Sequence, residues 1–365
     1  MKNRSKITIF LLVSIFLFLL MSQRVLADNA EGNPAGAVGF TYSIDYPNNQ
    51  IQEAGYFDLL MTAGQKQTVK MKLSNPAAAE VKVLVGLNGA KTNKNGVVEF
   101  GDTEIKNDKS LKFAFEDIVK GPDEVILAPG ESKDLELEIT MPKTEFDGVI
   151  LGGIRLIRDD SADQKAGVSG AQIKNKYQYI IGMTLQVNQH KVVPALVLNS
   201  VYADQFNYQN TIFINFSNSK AAMLSDMSIE VQISKQGEGQ VLYETKKNGM
   251  RLAPNSFIDF PISMQGERMV AGNYSAHILV QGSDDIREEW TKDFEITKEE
   301  ADKFNTRDVG LVAEKGINWL VIALIAGGAI LGIGLIYWLL SFVKMNQKNN
   351  NKVSKKISNH RKKSR

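Results

Sequence analysis

Hydrophobic and polar residues alternate repeatedly along the middle of this chain. Valine, methionine, leucine or isoleucine occupies every second position in residues 69–73, 81–85 and 135–139, and mainly polar residues lie between them. A period of two is typical of half-buried β-strands. Turn sequences such as Asn75-Pro76 and residues 128–130 separate the segments. The pattern predicts an all-β protein built from antiparallel sandwiches.

The same order of segments occurs twice. Residues 67–85 and 210–233 each contain a strand, a Ser-Asn pair, a turn of small residues and a second strand. We interpret this repeat as two tandem immunoglobulin-like β-sandwich domains, followed by a short stalk and one transmembrane α-helix. The alternative is that the repeat reflects only the order of turns and strands that all sandwiches share. The predicted boundaries are a first domain at 36–160, a loop or linker at 161–171, a second domain at 172–298 and a stalk at 299–316.

The end of the first domain can be interpreted in two ways. Residues 159–170 are charged and small, which favours a linker. However, residues 147–157 and 176–187 are both strand-like, and consecutive strands pair about two times in three. We therefore predict that these strands form a last hairpin of the first domain, extending it to about 190, with the hinge at 188–193. The alternative is that the later strand pairs only with strands after Leu196.

Two apolar segments lie near the ends of the chain. Residues 7–21 follow a basic start and precede small residues, which predicts a signal peptide at 1–27 that is cleaved after Ala27. Residues 317–343 contain no charge and are long enough to cross a bilayer as a helix. The tail at 344–365 is basic and has no acid, which is typical of a cytoplasmic segment. The chain is thus predicted to be a single-pass type I protein of the cell membrane.

The charge is distributed unevenly. All 41 acidic residues lie between 28 and 316, whereas thirteen of the 43 basic residues lie in the two ends, so the exported region carries about −11. This balance argues against nucleic acid as a partner, although it leaves room for a local basic groove. There is no cysteine, which favours a Gram-positive source over a eukaryotic secreted protein.

No catalytic or metal-binding pattern is evident. His190 and His277 have no zinc-ligand spacing, and acidic pairs such as Asp284-Asp285 are adjacent rather than facing each other across a cleft. We therefore expect no enzyme activity, no cofactor and no metal. A calcium site at Asp284-Asp285 remains an alternative, since oxygen-rich loops bind this ion.

Four aromatic residues are candidates for ligand binding: Tyr56, Phe57, Phe206 and Tyr208. Exposed aromatic rings stack on sugars or anchor protein partners. The alternative is that each of these rings fills a sandwich core.

Several longer stretches together resemble a known family. They are Gly55-Tyr56-Phe57-Asp58-Leu59, residues 64–67, 93–96 and 146–153 in the first half, and residues 177–182, 252–256 and 271–274 in the second. In sequence and order they are similar to the WxL-interacting protein family of Gram-positive bacteria. The likeness covers nearly the whole chain, including both apolar ends.

The resemblance implies a tandem of a peptidoglycan-binding domain and a host-binding domain, both immunoglobulin-like. The expected function is that of a non-enzymatic surface protein whose extracellular domains face the cell wall. Its expected partners are WxL-domain surface proteins, peptidoglycan, and host extracellular-matrix or serum proteins. The alternatives are a cell-wall-active hydrolase and a single-pass surface sensor.

Overall fold

The computed structural model describes residues 38–159, 177–311, 322–341 and 344. The chain divides into two units, one that ends at Gly310 and one that begins at Leu311. The predicted signal peptide at 1–27, the linker at 161–171 and the tail from 345 onward lie outside the described residues.

The first domain consists of two sheets and a short helix. Its strands are β1 (Thr41–Asp45), β2 (Phe57–Leu60), β3 (Lys66–Ser74), β4 (Val81–Gly89), β5 (Lys91–Thr92), β6 (Val98–Glu99), β7 (Val119–Lys120), β8 (Glu124–Leu127), β9 (Ser132–Thr140), β10 (Ile150–Arg158) and β11 (Gln178–Gln186), and helix α1 is Phe115–Ile118. One sheet has the order β1-β3-β9-β7 and the other β2-β11-β10-β4-β8, while β5 and β6 form a separate ribbon.

The predicted alternation forms the core of this domain. Val69 lies opposite Leu137 in the antiparallel pair of β3 and β9, and both side chains are buried. Val83 and Ile154 of the other sheet belong to the same buried cluster. The two sheets therefore enclose one core, and burying each such aliphatic side chain stabilises the fold by about 1.5–3 kcal/mol.

The predicted hairpin is present. Strand β11 pairs antiparallel with β10, with Ile154 opposite Ile181. On its other side β11 pairs in parallel with β2, where Met183 lies opposite Phe57. No described strand after Leu196 pairs with β11, so the alternative pairing is wrong. The parallel neighbour was not predicted from the sequence.

The second domain contains seven strands and a helix. They are β12 (Leu196–Phe206), β13 (Gln209–Asn218), β14 (Leu224–Lys235), β15 (Val241–Leu252), β16 (Ser256–Ser263), β17 (Gly272–Gln281), β18 (Arg287–Ile296) and α2 (Lys298–Arg307). One sheet has the order β12-β13-β16 and the other β15-β14-β17-β18. A buried cluster that includes Ile214, Val231 and Ile278 lies between them.

Strand β13 is buried on both of its faces. Ile212 and Ile214 point into the core of the second domain. Phe213 and Ser217 lie on the opposite face and are equally buried. A sheet face that holds polar residues is normally solvated, so this outer face must be covered by another part of the chain.

Helix α2 begins at a strong cap. The Thr297 side chain accepts a hydrogen bond from the Glu300 backbone N–H, and the Glu300 carboxylate in turn accepts from the Thr297 N–H. Ala301 and Phe304 of this helix are buried in the core of the second domain. The structure thus differs from the predicted stalk at 299–316, because helix packing extends the second domain to about Arg307.

Within the part of the chain that the structure describes, one helix, α3 (Ile322–Ser341), is long and apolar enough to cross a membrane. It lies within the segment 317–343 that the sequence predicts as a transmembrane helix, and its apolar window has no residue buried within the protein.

Candidate functional site

Part of the outer face of the β12-β13-β16 sheet, including Ser217, is covered by residues 91–110 of the first domain. The Ala253 N–H donates to the Thr92 hydroxyl oxygen at 2.9 Å, and the Thr92 and Ser256 hydroxyls lie 3.0 Å apart. The Ser217 hydroxyl donates to the Asp108 carboxylate. The two domains are therefore joined through buried polar contacts between residues more than 100 positions apart in the chain.

Burial alone would raise the pKa of the Asp108 carboxyl group. Hydrogen bonds from Ser110 and Ser217 outweigh this effect and hold that pKa below its usual range. Asp108 is therefore a buried anion that is stabilised partly by the second domain.

An aromatic cluster lies at the same contact. The rings of Phe206 and Phe213 meet edge to face, with their centroids 6.5 Å apart. The Lys94 ammonium of the first domain lies 4.5 Å from the centroid of Phe213 and 5.1 Å from that of Phe206. At these distances a cation is attracted by the ring faces, so Phe206 contributes to the contact between domains.

Next to this contact is a cavity of about 570 Å³. Both domains contribute to its lining, which includes Lys91, Lys112, Phe113, Phe146, Lys220 and Asn255. Its volume is in the range of pockets that bind small ligands. The Phe113 and Phe146 rings lie 5.4 Å apart and give the cavity an apolar wall.

Lys91 is the most unusual residue of the cavity. Lys91 is only 8% exposed to solvent. Its ammonium group forms no ion pair or hydrogen bond with any residue in the described ranges. Burial lowers the pKa of Lys91, an effect that the charge of Glu116 opposes only in part. The Glu116 carboxylate is engaged elsewhere, since it accepts the Gly89 N–H at 2.6 Å.

Two other charged residues of the lining, Asp147 and Lys191, have ionisable partners. The Asp147 carboxylate lies 3.0 Å from His190 Nδ1 and accepts from Asn188 at 3.0 Å. These hydrogen bonds hold the pKa of Asp147 below its usual range. Lys191 forms an ion pair with Asp284 at 2.7 Å. Asp284 is thus engaged with a lysine.

The structure does not bring the four predicted aromatic residues together. Phe57 is fully buried in the first core, so its ring cannot meet a surface ligand, and its selection as a binding residue is corrected on this ground. Tyr56 is half-buried beside the same core, and its hydroxyl accepts from Gln52 at 2.5 Å. Phe206 packs at the domain contact, and Tyr208 is 72% exposed on the second domain.

No sequence pattern identifies Lys91 as a functional residue. It lies in a two-residue strand with no periodicity around it. The one related feature of the sequence is the net negative charge of the exported region, in which a buried lysine is unusual.

Two family models match the chain in succession. The model described as "WxL Interacting Protein, peptidoglycan binding domain" matches residues 40–158, and that described as "WxL Interacting Protein, host binding domain" matches residues 168–306. The chain therefore belongs to the WxL-interacting protein family. Membership implies a cell-surface protein with peptidoglycan-binding and host-binding domains. The second match starts before β11, although the hydrogen bonds of β11 lie in the sheet of the first domain.

No curated protein matches the sequence. Among solved structures, the chain is similar to the CupB2 chaperone of Pseudomonas aeruginosa, with 11% identity, 67% of this chain and 99% of that chain covered, and a TM-score of 0.26. It is also similar to a PapD-like domain of human CEP192, with 11% identity, coverage of 42% and 88%, and a TM-score of 0.25. At these TM-scores the likenesses carry no argument about fold or function.

Proposed function

We propose that this protein is a non-enzymatic, membrane-anchored surface protein of a Gram-positive cell. It binds peptidoglycan and host matrix or serum proteins, and it holds WxL-domain proteins at the wall. The observation that carries this proposal is the succession of the two family matches over residues 40–306, on domains that share a buried contact. Each domain is proposed to be immunoglobulin-like, which two sheets around one core support.

The anchor is proposed to be helix α3. Its 20 mainly apolar residues span about 30 Å, which matches the hydrocarbon core of a bilayer. The basic residues after it support an orientation in which the tail is cytoplasmic and both domains face the wall.

Protein partners are proposed to bind the open sheet of the second domain. The first domain covers part of the β12-β13-β16 sheet, whereas the outer face of the β15-β14-β17-β18 sheet carries exposed polar residues. They include His277, which lies 3.3 Å from Glu289, and Lys246, which forms an ion pair with Glu230 at 2.9 Å. A polar exposed face of this kind suits partners that bind reversibly.

The proposed function can be tested on the full-length protein in two steps. After complete digestion of the wall, we expect the protein to sediment with membranes, and a variant that ends before residue 317 to be released into the medium. Recovery of the full-length protein with wall fragments attached would contradict the membrane anchor. The purified protein in detergent is further expected to bind insoluble peptidoglycan sacculi without releasing soluble fragments. Absence of sacculus binding would overturn the proposed function, and fragment release would favour a hydrolase.

A further inference from the structure

The Lys91 residue is only 8% exposed, and burial disfavours the charged form of its ammonium. A buried charge without a counter-charge costs free energy, because the protein interior replaces the water that would solvate it. Among the described residues no carboxylate lies within ion-pair distance of Lys91. The charge of Glu116 offsets only part of the effect of burial, so the positive charge of Lys91 is incompletely compensated.

The cavity beside Lys91 has room for a negatively charged group. Its volume of about 570 Å³ exceeds what a few waters need. Lys112 and Lys220 also line it, and neither forms an ion pair with a described residue. Glu145 is the acidic residue of the lining without a described partner, whereas Asp147 is held by His190 and Asn188. The uncompensated charge of the lining is therefore positive.

The lining also suits a ligand with an apolar part. Phe113 and Phe146 form one wall, and Asn255 lies among the lining residues of the second domain. The Asn255 amide already donates to the backbone carbonyl oxygens of Ser110 and Ser219 at 3.2 Å. The Asn255 amide therefore joins the two walls of the cavity, and its N–H groups are already used in these hydrogen bonds.

We propose that this cavity binds a carboxylate of a peptidoglycan stem peptide, with the Lys91 ammonium as the counter-charge. The inference rests on the proposed peptidoglycan binding and names the group that is recognised. A peptidoglycan source is favoured over a protein C-terminus because Lys91 and the aromatic wall both belong to the domain that the peptidoglycan-binding model matches. The short apolar side chains of a stem peptide fit the aromatic wall.

The test compares one substitution with one change of ligand. The full-length protein in detergent is titrated by calorimetry with a synthetic stem peptide whose carboxylates are free, and with the same peptide fully amidated. A charge-assisted contact in a partly buried site predicts that amidation weakens binding to the unaltered protein by about tenfold or more. Lys91→Met is expected to bind both peptides equally weakly. The control Lys72→Met, on an exposed position of β3, is expected to behave like the unaltered protein.

Thermal unfolding separates a binding role from a structural one. Because Lys91→Met removes an unpaired buried charge, its Tm is expected to stay the same or to rise. The comparison of the two peptides on the unaltered protein needs no variant and so does not depend on the folding of Lys91→Met.

Three results would overturn this inference. The first is equal binding of the free and amidated peptides by the unaltered protein, which leaves the proposed function standing if sacculi still bind. The second is a folded Lys91→Met variant that still discriminates between the peptides. The third is equally tight binding of an unrelated L-peptide with a free C-terminus, which would assign the cavity to protein C-termini. If sacculi do not bind either, the proposed function fails as well.

Discussion

The contact between the domains can be tested at Gly148. This residue has φ +88°, and a Cβ added there would lie 2.2 Å from the carbonyl oxygen of Ala221. The next residue, Val149, donates its N–H to that same oxygen at 2.8 Å. Gly148→Ala would therefore disturb both the local backbone and a hydrogen bond that joins the domains.

The expected cost has three parts. An L-residue in the left-handed region costs about 1–2 kcal/mol, and loss of the Val149 hydrogen bond costs about 1 kcal/mol. Overlap with the backbone of Ala221 forces a shift that costs about 1–3 kcal/mol. The free energy of unfolding should thus fall by about 3–6 kcal/mol, a large share of the 5–15 kcal/mol that is typical of native proteins.

The control is Gly130→Ala. Gly130 has φ +72°, similar to Gly148, but a Cβ added there has no atom within 4 Å. This variant should lose only the backbone part, about 1–2 kcal/mol. The assay is urea unfolding of the full-length protein in detergent, followed by far-UV circular dichroism. We expect Gly148→Ala to lower the midpoint further and to split the transition, because the domains no longer unfold together. Equal losses in the two variants would refute the argument.

Two further predictions concern the first domain and its contact. A fragment of residues 28–192 should unfold in urea as one cooperative transition. The shorter fragment 28–165 lacks β11 and should be less stable by several kcal/mol, because Ile181 and its buried neighbours are removed. Equal stability of the two fragments would place β11 outside the domain. Because the pKa of Asp108 is lowered in the folded protein, its stabilising effect is complete above the unfolded value of about 4 and is lost as pH falls through the lower folded value. Asp108→Asn should therefore unfold with a weaker dependence on pH below about 4, and identical acid-unfolding curves would contradict this.

The sequence predicted the strands best where one face meets the core. The alternation in β3, β9 and β11 depends only on neighbouring positions, so a period of two is sufficient to predict these strands. The hairpin of β10 and β11 followed from the same reasoning, because the strands are consecutive. The second domain illustrates the limit. Nothing near Ser217 in the sequence indicates that its polar side chain is buried, since its cover comes from Asp108.

The candidate site could be predicted only in part. Aromatic residues were the visible candidates, yet burial in the first core removed Phe57 and the domain contact occupied Phe206. Whether an aromatic ring lies in the core or at the surface depends on which face of the sheet it occupies. A strand as short as β2 has too few positions for the sequence to show which face is buried. Lys91 is buried partly by the second domain and has no described carboxylate within ion-pair distance, and neither property can be predicted from the neighbouring residues in the sequence.

The attachment of helix α2 also has a mechanical consequence. Phe304 is buried in the second core, and the Asn305 side chain both accepts from the Met269 N–H and donates to its carbonyl oxygen. The Asp308 carboxylate accepts from the Asn210 N–H at 2.7 Å. If α3 anchors the chain as proposed, a force applied from the wall side would act on these contacts before it reached β18. The contacts of helix α2 would thus bear the force and protect the hydrogen bonds between the edge strand β18 and β17.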